Sequence, residues 1–310
     1  MLAPPGSQKI LSYMIGWLTV IGWQASFATA NFVSAALIQG LIVLTRLSYD
    51  PKPYEHMLLF RAVMAFAVFI NVLASTVLPK FEGFILVLHI VGYFAILLPL
   101  LILGEHQDPH QVFGLWLNLG NLLTQGTSFM VGLLGPVFMF LGADGAVHVN
   151  PRTSIPVATI IATTITSTLL SLIILGSSTA FNNIVSIAVT GLSASYVLAI
   201  GLLLWRRTTG GIRHSPLSGS QLTNTPGFEL SWGPWHIPGI VGPAVNLFAI
   251  IYVLVILFFS FWPPDVPVDG AKMNYTILVT GAVLIFSVTW YLAWGRRDYK
   301  RPLIDTASVH

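Results

Sequence analysis

Asp144 is the only acidic residue inside any apolar run of this chain. A carboxylate at membrane depth is costly to keep, so it is by default a functional hypothesis. Its surroundings strengthen the case. The stretch from Gly135 to His148 starts as an apolar run and then breaks the rules of one. Pro136 removes a backbone donor, and Gly142 and Gly145 weaken a helix on both sides of Asp144. An interrupted helix with a lone charge is a way for a membrane protein to offer backbone groups and a carboxylate to a substrate. The competing reading is a plain helix end, with Gly142 to His148 in the interface and Asp144 facing water.

The elements that must hold this carboxylate follow from composition. Of 310 residues, 55% are hydrophobic and 8% charged, with mean hydropathy +0.80. A soluble domain carries about 25% charged residues, so the chain is expected to be an integral, multi-pass membrane protein. The formal charge of +3 does not indicate a nucleic-acid partner, because the basic residues sit in short clusters beside apolar runs. There is no cysteine, which excludes disulfides and thiolate chemistry. No zinc-ligand spacing, phosphate-binding loop, dinucleotide fingerprint or nucleophile elbow is present, so neither metal, cofactor nor enzyme chemistry is expected.

Eight apolar runs match the roughly 20 residues of a spanning helix. They lie near 10–44, 57–77, 83–104, 127–147, 155–176, 182–205, 238–262 and 274–294, in one transmembrane domain. The expected fold is an all-α polytopic bundle of about eight transmembrane helices. With eight spans, ten basic residues (Lys9, Lys80, Arg152, Arg206, Arg207, Arg213, Arg296, Arg297, Lys300 and Arg301) share the side of the termini. Four (Arg46, Lys52, Arg61 and Lys272) fall opposite, which predicts both termini in the cytoplasm. The sequon at Asn274 then falls outside, too close to the membrane for glycosylation.

Other polar residues could serve a site or only hold helices together. Gln24 and Asn31, seven residues apart in a run rich in small residues, share one helix face and could line a substrate path or act as interhelical glue. Gly191, Ser195 and Tyr196 could face a cavity with Asp144, or the hydroxyls of this run could bond back to their own helix. His89 could relay protons or be a satisfied bundle histidine.

Several segments, taken together, resemble fungal members of the amino acid–polyamine–organocation superfamily, which includes choline, GABA and amino-acid permeases. They are Leu2-Ala3-Pro4-Pro5, Gly16-Trp17-Leu18-Thr19-Val20, Gly22-Trp23-Gln24-Ala25, Phe140-Leu141-Gly142-Ala143-Asp144-Gly145-Ala146-Val147-His148, Asn150-Pro151-Arg152-Thr153-Ser154 and Gly176-Ser177-Ser178-Thr179-Ala180-Phe181-Asn182. Their order is the family's order. In the family, the Leu-Ala-Pro-Pro segment lies just before the third transmembrane helix, and two helices separate the Ala-Val-His and Asn-Pro-Arg segments. The resemblance therefore implies a truncated inverted-repeat transporter fold without family helices one, two, seven and eight, joined internally near 148–150.

It also implies a function and a site. The function would be proton-coupled secondary transport of an amino acid, GABA or a choline-like amine, in the plasma membrane. The alternative is a transport-inactive family member acting as a structural or regulatory membrane protein. Phe138, Leu141, Gly142 and Asp144 match the broken sixth helix that lines the family's substrate chamber.

Overall fold

The computed structural model describes residues 2–4, 6–46, 48–74, 77–104, 108–142, 157–176, 178–212, 232, 236–270 and 273–299. Asp144 and Gly145 lie outside the described residues, as do Arg152, Arg213, Lys272, Lys300 and Arg301. The described chain is all-helical. Its α-helices are α1 Gln8–Thr45, α2 Pro53–Val72, α3 Leu78–Leu103, α4 Pro109–Gly114, α5 Gln125–Gly132, α6 Leu134–Phe140, α7 Val157–Ser171, α8 Ile173–Gly176, α9 Ser178–Thr208, α10 Val241–Phe259, α11 Thr276–Trp290 and α12 Arg296–Asp298. A π-helical turn, Tyr291–Gly295, joins the last two.

Among the described residues, seven helical stretches are long and apolar enough to cross a membrane: α1, α2, Lys80–Leu103, Val157–Gly176, Asn183–Thr208, α10 and Thr276–Asp298. The remaining apolar run differs from an ordinary span. It folds as two short helices over Gln125–Phe140, broken at Leu133.

Local chemistry explains many boundaries. Pro53 opens α2, where a missing N–H costs nothing, and Glu55 accepts from the Lys52 amide at 3.2 Å. Asp108 caps α4 by accepting from the His110 amide at 3.2 Å, and Thr124 caps α5 by accepting from the Thr127 amide at 3.1 Å. The break at Leu133 puts Pro136 in the first turn of α6, where its missing donor is harmless. The loop from α1 to α2 is tied by a chain of hydrogen bonds. Tyr49 donates to Glu55 Oε2 at 2.6 Å, Gln39 Nε2 donates to Tyr49 Oη at 3.2 Å, and the buried His56 Nδ1 pairs with Gln39 Oε1 at 3.0 Å.

Helix α1 is the hub. Its 38 residues run without a break through Gly16 and Gly22, packing on α2, α7, α9 and α11. Its closest crossing is with α9. A Cβ on Gly191 would stand 2.8 Å from the Leu18 carbonyl oxygen, and one on Gly22 would stand 2.8 Å from the Leu192 amide nitrogen. Glycine on both helices is what lets the backbones meet. Around this crossing lies a core of Ala25, Ala28, Ala35, Phe60, Met64, Ile174, Ile184 and Ala188. By contrast, α3 buries no residue of its spanning stretch against protein. Apart from His89, its stretch from Phe84 to Leu103 is apolar all round, as a helix facing lipid should be.

The basic clusters gather at one end of the bundle. Arg206 Nε, at the end of α9, donates to the Leu2 carbonyl at 2.6 Å, and Gln8 Nε2 donates to the Ala3 carbonyl at 3.0 Å. Tyr13 of α1 meets Tyr299, just past α12, with ring centroids 5.4 Å apart. Lys9, Arg206, Arg207, Arg296 and Arg297 therefore share a side.

Candidate functional site

Three elements converge on the middle of α1. The first is α6, which stops at Phe140. Leu141 is extended at φ −71°, ψ 143° and its amide bonds the Phe138 carbonyl at 3.2 Å. Gly142 then takes φ +91°, a conformation L side chains rarely adopt. A Cβ there would also meet the Trp23 indole at 3.1 Å. Glycine at 142 thus ends the helix and sets its backbone against the ring of Trp23. Phe138, half-buried, packs against the alanine-rich core that includes Ala25 and Ala28.

The second element is α7. Gln24 Nε2 donates to Thr163 Oγ1 at 2.8 Å, across 139 residues of sequence. This is an interhelical bond of the kind that holds spans together. The Gln24 carbonyl oxygen, however, has no hydrogen-bond partner among the described residues and is buried. The third element is α9, whose Gly191 fills the crossing with Leu18 and Gly22. Gly191 has backbone on its open side, not a cavity.

Three candidate residues are not drawn into this cluster. Asn31 is 4% exposed, and its Nδ2 donates to the Phe27 carbonyl at 2.7 Å, one turn back on its own helix. Ser195 is buried and donates to the Leu192 carbonyl at 2.7 Å. His89 is exposed, with Nδ1 2.8 Å from the Ile85 carbonyl of its own helix. Asn274 serves the loop before α11. Its buried side chain donates to the Ser260 and Trp262 carbonyls at 2.8 and 2.9 Å and accepts from the Thr276 amide at 3.1 Å.

Sequence reasoning overlooked a polar seam between α1, α2 and α7. Arg61 Nε donates to Ser171 Oγ at 3.4 Å, and Thr168 lies 4.0 Å from the sulfur of Met64. Thr29 Oγ1, Ser167 Oγ and His56 Nε2 are buried and unpartnered among the described residues. A buried polar atom without a partner costs about 1–3 kcal/mol, so such atoms ask for water or a solute. The signal was present: Thr163, Ser167 and Ser171 recur every fourth residue, which lines one face of a helix. Among the described residues, no group of three or more His, Asp or Glu comes together as a metal site would require.

A bundle of apolar helices around one central span, with one run interrupted, defines a polytopic helical membrane protein. Similarity to known proteins gives its lineage. The sequence profile of the amino acid permease family matches residues 3–153 and 146–283, and the chain belongs to that family, within the amino acid–polyamine–organocation superfamily. It is 27% identical over 157 residues to amino-acid permease 2 of Neurospora crassa, covering 51% of this chain and 25% of that one. It is 27% identical over 164 residues to the choline transporter of Saccharomyces cerevisiae, covering 51% and 29%. A polyamine transporter of the same yeast is 26% identical over 196 residues, covering 60% and 28%. The alignments thus span between a quarter and a third of the length of these relatives. All three are transport proteins by name, and the family is not one of enzymes. No solved structure matches the chain.

Proposed function

We propose that the chain is a secondary transporter for a small amino compound: an amino acid, GABA or a choline-like amine. Transport runs by alternating access and is driven by protons, in the plasma membrane, with both termini in the cytoplasm. The observation that carries this reading is the interruption at Leu141–Gly142, set against Trp23 and next to Gln24 on the central helix. Discontinuous helices at the centre of a bundle are where such proteins hold solutes. The unpartnered Gln24 oxygen nearby gives a polar acceptor in an apolar setting. In this reading Asp144 supplies the charge that attracts an ammonium, an interaction strengthened by a low dielectric. Phe138 adds a cation–π contribution of about 0.5–2 kcal/mol.

The test is uptake of radiolabelled amino acids, GABA and choline into proteoliposomes with an imposed pH gradient. Asp144→Asn is expected to reduce uptake to background with membrane insertion unchanged. Undiminished uptake would remove Asp144 from the mechanism, and uptake indifferent to the gradient would remove proton coupling.

A second reading has its own support. The two matched segments meet at 146–153, where the sequence suggests that two family helices are absent. A chain joined there would act as a transport-inactive structural or regulatory partner. Uptake by this chain expressed alone separates the two readings.

A further inference from the structure

The last span ends in an aromatic cleft that the transport reading does not use. A cavity of about 470 Å³ is lined by Tyr13, Trp290, Trp294, Gly295, Asp298 and Tyr299. Trp290 and Trp294 stack with centroids 5.9 Å apart, and Tyr13 meets Tyr299 edge-on at 5.4 Å. The π-helical turn Tyr291–Gly295 lies between them, a distortion found often at functional sites. Gly295 lines the cleft beside Tyr13, and a Cβ there would just reach van der Waals contact with that ring at 3.4 Å.

Aromatic rings beside one carboxylate are what an alkylammonium seeks. Asp298 is exposed and makes no ion pair or hydrogen bond among the described residues. Its neighbours Arg296 and Arg297 are exposed too. A free cation would feel their repulsion. A zwitterion would not, because guanidinium groups pair with phosphate while the ammonium enters the cleft. The position agrees: tryptophans at the end of a span sit at headgroup depth.

We propose that this cleft holds the ammonium of a zwitterionic phospholipid headgroup, with its phosphate reaching toward the neighbouring Arg297 guanidinium. The test is native mass spectrometry of the full chain in detergent, titrated with dihexanoyl-phosphatidylcholine, dihexanoyl-phosphatidylglycerol or choline chloride. Phosphatidylcholine is expected to bind about tenfold more tightly than phosphatidylglycerol. Asp298→Asn, at an exposed position, is expected to weaken phosphatidylcholine alone by roughly 3- to 10-fold, and Trp294→Leu likewise. Circular dichroism checks that both variants keep their helix content. Equal binding of the two lipids, or an unchanged Asp298→Asn, overturns the proposal. Choline chloride displacing phosphatidylcholine at equal concentration also overturns it, by showing that the cleft reads a free ammonium.

Discussion

Replacing Gly191 by alanine should force α1 and α9 apart. The new Cβ would lie 2.8 Å from the Leu18 oxygen and 2.9 Å from both the Cα and the nitrogen of Gly22. All three are backbone atoms, so no side-chain rotation relieves the contact. Carbon pairs rest at about 3.5–4.0 Å, which asks the helices to part by roughly 0.6–1 Å. Because α1 also packs on α2, α7 and α11, the movement disturbs the whole hub. Overpacking of this kind costs about 1–3 kcal/mol. Gly22→Ala strikes the same crossing from the other side, against the Leu192 nitrogen and Cγ at 2.8 Å. Once one substitution has opened the interface, the other meets less resistance. The double variant should therefore lose less than the sum of the singles, by about 0.5 kcal/mol or more. Equilibrium unfolding in mixed dodecylmaltoside and SDS micelles, followed by circular dichroism, measures all four proteins. Gly16→Ala is the control, since no heavy atom lies within 4 Å of its Cβ position. If Gly191→Ala is as stable as Gly16→Ala, or the two costs add, the close crossing does not hold the bundle.

Three further outcomes are expected. A double-mutant cycle of Gln24→Leu and Thr163→Val should show a coupling of about 0.6 kcal/mol, typical of a hydrogen bond between spans; no coupling means the 2.8 Å contact is not formed in the membrane. Asn274 should carry no glycan when the chain is expressed in yeast, since its amide is buried and bonded to two carbonyls, and a glycosidase-sensitive shift on a gel would refute this. Asn274→Ala should also cost about 1–3 kcal/mol in the same unfolding assay. The third concerns alkaline pH. The bond from the Tyr49 hydroxyl to Glu55 raises its pKa above the ordinary value near 10, with Gln39 opposing in part. A folded pKa above the unfolded one means stability intact below about pH 10 and lost as pH rises through the raised value. Tyr49→Phe should remove that alkaline component from the pH dependence of unfolding.

How much of this was legible in advance differs by residue. The interruption near Pro136 and Gly142 was visible because glycine and proline act on the backbone where they stand. Its exact form was not: the break falls at Leu133 rather than at Pro136, and the seating of Gly142 on Trp23 depends on a helix more than 100 residues away. Gly191 looked like a cavity residue beside Ser195 and Tyr196. It is a crossing point, which only the approach of Gly22 reveals. Ser195 and Asn31 are bonded back to their own helix, a local habit of such side chains that a sequence can suggest but not decide.

The order of residues was enough to set the solvent and the class of this protein. Transfer from water to lipid is a property of each residue, so apolar length, charge placement and family segments can be read along the chain. Which face of each helix meets which neighbour was settled only by packing in three dimensions. In a helix that is apolar on every side, no polar stripe tells inside from outside, so rotation about the axis is left to the partner. That is why Gln24 with Thr163, Gly22 with Gly191, and Tyr13 with Tyr299 had to be seen in the folded bundle.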